Sequence, residues 1–151
     1  MRTERDGRSV AELSERHILP TPHQVIIVTE TLNLKRRAPV WEALSELFVG
    51  KELQGYDYAG IAETLRVSGY SLAELEKVLR EEVAPVFRSN LSPLAIPEME
   101  GWARDTVVKE IEAYLEHERT GLSRLLSRLT TSRPLPDVAT KRWQQIKSLL
   151  S

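Results

Sequence analysis

The sequence predicts an all-α fold: a compact bundle of four to five helices that contains a helix-turn-helix-like pair and follows a flexible N-terminal arm. Three observations lead there. Apolar residues recur at spacings of three and four over most of residues 39–150. The segment from Tyr70 to Val83 carries several agreeing helix-start signals. Only Gln24 to Leu34 is rich in β-branched residues, and a lone strand there has no partner within the chain.

Residues 1–22 are polar and end in Pro20-Thr21-Pro22, with two turns of helix conceivable from Ser9 to Arg16. Gln24 to Leu34 reads equally as a strand, a short helix or an extended arm. Pro39 suits a first helical position, and Val40, Trp41, Leu44, Leu47 and Phe48 then form an apolar stripe opposite Glu42, Ser45 and Glu46, up to Gly50. After a loop, Asp57 is placed as the N-cap of a helix with Ile61, Ala62 and Leu65 inside. Gly60 within that helix signals close packing against a neighbour.

Val67 to Ser71 make a turn. Ser71 and Glu74 have the spacing of a capping box, and Tyr70 and Leu75 that of a hydrophobic staple. Leu72, Leu75, Val78, Leu79 and Val83 supply the apolar face of the helix they start. Pro85 should end or bend it. A loop with Pro93 and Pro97 follows. Helical period returns from about Trp102 through Val107, Val108, Ile111, Tyr114 and Leu115, with continuation past Gly121 to Leu129. Arg133-Pro134-Leu135-Pro136 is a break, and a last helix covers Asp137 to Leu150. The chain thus divides into an arm at 1–34, partly disordered or one short strand or helix, a helical core at 35–118, and a basic helical extension at 119–151 packed on the core.

At 151 residues the chain can bury a core without disulfides, and it has no cysteine, which removes thiolate chemistry. No apolar run reaches the ~20 residues of a membrane span, so a cytoplasmic location is expected. The net charge of −1 conceals an asymmetry: residues 39–118 carry −9 and residues 119–151 carry +6.

The search for catalytic groups yields little. His117 in Glu116-His117-Glu118 lacks the second histidine of a zinc-protease motif, and there is no nucleophile elbow, phosphate-cradling glycine loop or calcium loop. Glu42 with Glu46 and Glu81 beside Glu82 are paired carboxylates without a facing ligand set. No metal, cofactor or catalytic residue is therefore expected. The segment Ile61-Ala62-x-x-Leu65-x-Val67-Ser68-x-x-Ser71-Leu72-x-x-Leu75 has helix-turn-helix spacing, but its second helix bears Glu74, Glu76, Glu81 and Glu82 against Lys77 and Arg80. Those carboxylates oppose phosphate contact.

Val40-Trp41-x-Ala43-Leu44-Ser45, Ser68-Gly69-Tyr70-Ser71-x-x-Glu74-Leu75 and Glu82-Val83-Ala84-Pro85-Val86 resemble an uncharacterised family of small bacterial helical proteins, a domain of unknown function. The resemblance covers about residues 36–116. It implies a bacterial source and a standalone helical domain, and it carries no catalytic residues across.

The leading expectation is a non-enzymatic protein-binding module, of immunity or inhibitor type, that presents Glu42, Glu46, Glu76, Glu81 and Glu82 to another bacterial protein of basic character. The alternative is a DNA- or RNA-binding regulator. It would use segment 57–83, or the basic tail through Arg119, Arg124, Arg128, Lys141 and Arg142. Either a monomer or a homodimer fits.

Overall fold

Of the three readings of Gln24 to Leu34, helix is the one found. In a computed structural model that describes residues 19, 21–120 and 133–151, and only the backbone at residues 24 and 26–32, the first helix, α1, spans Pro22–Ser45 without a break at position 34. Pro39 therefore lies inside α1, not at its start. Proline has no N–H for the carbonyl four residues back, and its ring crowds that carbonyl. Tertiary contacts hold the preceding turn helical regardless. The Arg36 Nε donates to the Ser68 carbonyl at 2.8 Å, and its guanidinium lies 3.8 Å from the centre of the Tyr70 ring. Arg37 pairs with Glu82 at 3.1 Å.

A 3-10 turn, Glu46–Phe48, extends α1. The stripe of Val40, Trp41, Leu44, Leu47 and Phe48 is buried as the periodicity predicts, and Ala43 and Val49 widen it. Ser45, expected on the polar side, is also buried. Its hydroxyl donates to the Glu42 carbonyl at 2.7 Å, which satisfies it inside the helix.

Helix α2 spans Gly55–Val67 and starts three residues earlier than an N-cap at Asp57 suggests. Gln54 is the cap. Asp57 sits at the third helical position, where its carboxylate accepts the Gln54 backbone N–H at 2.8 Å. Ile61, Ala62 and Leu65 face inward. Gly60 is exposed, and a methyl group added there would meet nothing, so it marks no close approach. The turn after α2 passes through Gly69 at φ +70°, a conformation that glycine adopts without Cβ strain.

Helix α3, Leu72–Val78, begins with the predicted capping box: the Ser71 hydroxyl accepts the Glu74 N–H, and the Glu74 carboxylate accepts the Ser71 N–H at 2.7 Å. Leu72, assigned to the apolar face, is 42% exposed. Its place in the first turn puts it beyond the neighbouring helices. The chain then passes through a π turn, Leu79–Val83, into α4, Ala84–Phe87, and a 3-10 turn, Arg88–Leu91. Pro85 thus changes the hydrogen-bond register without ending the helical path. The Ala84 N–H reaches the Leu79 carbonyl five residues back, and the wider turn makes room for a residue that cannot donate.

Helix α5 spans Arg104–Arg119, two residues after the expected start, with Val107 and Ile111 buried. The helix ends at Arg119, with Thr120 outside it at ψ 81°, so α5 does not run unbroken through Gly121 as expected; residues 121–132 and the turns at Ser9–Arg16 lie outside the described residues. Helix α6, Asp137–Leu150, has the predicted bounds. α1 is central: it packs on α2, α5 and the π turn, while α2 and the Glu46–Phe48 turn pack on α6. One apolar cluster joins them all, and α6 adds Ala139, Trp143 and Ile146 to it. The described residues form helices and turns with no strand.

Candidate functional site

The π turn brings Glu82 back towards α1. Its carboxylate accepts the indole N–H of buried Trp41 at 2.6 Å and the guanidinium of Arg37 at 3.1 Å. This trio borders an open cleft of about 680 Å³, whose other wall is α5 with Glu112, Leu115, Glu116 and Arg119. Trp41 is therefore a core residue with its polar edge satisfied by a half-buried carboxylate.

The five glutamates expected to form one acidic surface have different local roles. Glu82 is held by Trp41 and Arg37. Glu42 accepts Arg104 Nε at 2.5 Å, which ties α1 to the first turn of α5. Glu76 pairs with Arg80 one turn on, at 2.9 Å. Glu46 is half-buried, and desolvation holds its carboxyl above the usual range, with Lys51 acting in the opposite sense and Asp57 and Glu42 adding to the rise. Glu81 is exposed and has no ion pair among the described residues. On α5, Asp105, Glu110 and Glu112 are likewise exposed and unpaired among the described residues. Nothing local in the sequence singles them out.

The basic set divides as well. Arg124 and Arg128 lie outside the described residues. Arg119 is exposed and faces Glu116 at 3.5 Å, and Lys141 is exposed. Arg142 is not a surface cation. It is 7% exposed, and its guanidinium donates to three backbone carbonyls: Leu47 at 3.0 Å, Val49 at 2.8 Å and Lys51 at 2.6 Å. The fork geometry of arginine matches carbonyls left open where the Glu46–Phe48 turn unwinds. Burial lowers its pKa, with Tyr58 opposing the shift. Arg142 thus clamps α6 to the end of α1, and its burial keeps the guanidinium from a phosphate at the surface.

The helix-turn-helix reading meets a similar obstacle. α2 packs on α1 and α6, whereas the π turn that continues α3 packs on α1 and α5. The start of α3 is occupied by the Glu74 carboxylate, whose pKa is lowered by its hydrogen bonds to Ser71.

A further feature went unnoticed in the sequence. Asn90 spans two segments: its Nδ2 donates to the Phe48 carbonyl at 2.7 Å and the Glu98 carbonyl at 3.1 Å, and its Oδ1 accepts the Glu98 N–H at 2.6 Å. The Gly50 N–H also donates to the Glu98 carbonyl, at 2.8 Å. A Cβ on Gly50 would fall 2.6 Å from the Met99 sulfur and 2.8 Å from Pro97 Cβ, so this glycine admits the loop. At the loop's end Gly101 has φ +95°, and a Cβ there would fall 2.7 Å from a Glu46 carboxylate oxygen.

Among the described residues no group of three or more His, Asp or Glu side chains is placed to hold a metal ion, and no helix is long and apolar enough to cross a membrane. Comparison with curated proteins and with solved structures finds no match. A family model does match, over residues 35–149. That span reaches beyond the stretch that carried the sequence resemblance and takes in α6, in keeping with the place of Trp143 and Ile146 in the common core. The chain belongs to this family, a domain of unknown function designated DUF7079.

Proposed function

We propose that the domain is a non-enzymatic protein-binding module of a bacterial cytoplasm, of the immunity or inhibitor type, that recognises a basic partner protein. The observation that carries this reading is that several exposed carboxylates have no ion pair among the described residues, Glu81, Asp105, Glu110 and Glu112 among them. They belong to a stretch, residues 39–118, of charge −9. Unpaired acidic side chains speed encounter with a cationic partner and disfavour nucleic acid. Glu42, Glu76 and Glu82 take secondary places in the proposal, because each already has a cationic partner within the chain.

The test is the triple substitution Glu81→Lys, Glu110→Lys, Glu112→Lys, assayed against a partner recovered by affinity capture. The association rate should fall at low salt, and the difference should shrink as salt rises. An unchanged rate refutes the assignment of this surface. A second reading, nucleic-acid binding, draws on the +6 charge of residues 119–151. It predicts duplex or single-strand binding that weakens steeply with salt, and Arg142 plays no part in it.

A further inference from the structure

The segment between the Arg88–Leu91 turn and α5 holds its most apolar residues in water. Leu94 is 97% exposed and Ile96 is 98% exposed. A single exposed aliphatic side chain is ordinary. Here two stand two residues apart on a loop whose shape is fixed from both ends. Asn90 and Gly50 pin Glu98. Ser92 closes a turn by accepting the Ala95 N–H at 3.1 Å, and Pro93 and Pro97 bracket the pair with restricted φ. The backbone ordering that a binding loop must undergo is thus largely complete before any partner arrives.

Charge narrows the kind of partner. Residues 89–103 contain Glu98 and Glu100 and no Lys, Arg or His. Both carboxylates are exposed and free of ion pairs among the described residues. The cations at either border are engaged elsewhere: Arg88 donates to the Pro134 carbonyl at 2.8 Å and Arg104 pairs with Glu42. An acidic rim opposes an anionic lipid surface, and it opposes the same loop of a second copy.

We propose that this loop is a preformed docking tip which inserts Leu94 and Ile96 into an apolar cleft of a partner protein, with Lys or Arg at the rim of the cleft meeting Glu98 and Glu100. The proposal rests on the protein-binding reading and assigns that reading its apolar anchor. Acidic side chains of α5 would guide encounter, and the loop would set the lifetime of the complex.

The test places p-benzoylphenylalanine at Ile96 in one protein and at Glu110 in another. Each full-length chain is irradiated in lysate of its own host, and separately with phosphatidylcholine–phosphatidylglycerol vesicles. The expected result is a protein adduct at position 96 whose crosslinked partner peptide is apolar and has Lys or Arg close by. Leu94→Asp, or Glu98→Lys with Glu100→Lys, should reduce that adduct about tenfold or more without moving the urea midpoint of the free protein. If position 110 captures a protein and position 96 does not, the loop assignment falls and the protein-binding reading stands. If neither captures a protein, both fall. An adduct at position 96 only with lipid, or only with a second copy, also overturns the proposal.

Discussion

Replacing Arg142 with methionine keeps the length and apolar stem of the side chain and removes the guanidinium that joins α6 to the carbonyls of Leu47, Val49 and Lys51. Leu47 and Val49 are fully buried, so their carbonyls would lose a charged donor where water cannot easily replace it. Lys51 is half-exposed, and its carbonyl can find water. Leaving a buried acceptor unsatisfied costs about 1–3 kcal/mol. Two such acceptors give about 2–6 kcal/mol, offset in part because a cation no longer has to be desolvated. We expect Arg142→Met to destabilise the fold by about 3 kcal/mol, a large part of the roughly 5–15 kcal/mol that holds a domain together. With a urea m-value of about 2 kcal/mol/M, the midpoint should fall by about 1.5 M. Arg142→Lys keeps the charge but not the planar fork, and should fall between the two. A loss below about 1 kcal/mol for Arg142→Met would refute the clamp and return Arg142 to the pool of surface cations.

Three further substitutions test other parts of the structure. Gly60→Ala meets open space on an exposed helix face, so thermal unfolding should show a gain of about 0.5–1 kcal/mol. Glu82→Ala removes the acceptor of the Trp41 indole N–H and the partner of Arg37. It should cost about 1–3 kcal/mol in urea titration and change the tryptophan fluorescence of the folded state. Burial raises the Glu46 pKa, so the folded state holds that proton more tightly than the unfolded chain. This carboxyl therefore lowers stability as pH rises from its unfolded pKa through its folded one. Glu46→Gln should raise stability at pH 7 and make little difference below the carboxylate range, as read by urea midpoints at the two pH values.

Local signals read well where they are redundant. The Ser71–Glu74 box, the Tyr70 and Leu75 pair and the turn at Gly69 all agree, and α3 begins where they place it. The bounds of α6 follow from the prolines at 134 and 136 and the end of the periodic run. Errors arose where tertiary contact overrules a local rule. Pro39 reads as a helix start, yet Arg36 and Arg37 are anchored to Ser68 and Glu82 from far along the chain. At Pro85, read as a stop or bend, the regular α-helix does give way, to a π turn. The candidate surface was less legible, because composition cannot distinguish a carboxylate in solvent from one that binds an indole. One signal was present and unused: Ala139, Arg142 and Ile146 share a helix face, which places Arg142 on the buried stripe beside Trp143. Nothing local in the sequence marks Asn90 as the clamp of the Leu94 loop.

The central claim is that this domain binds another protein. The most direct measurement is affinity capture of the tagged full-length chain from lysate of its own host, with and without nuclease, followed by mass spectrometry and nucleic-acid quantification. The account predicts a stoichiometric protein partner, basic in composition, that survives nuclease. Recovery of nucleic acid, or loss of every partner on nuclease treatment, would contradict it and transfer the function to the basic C-terminal segment.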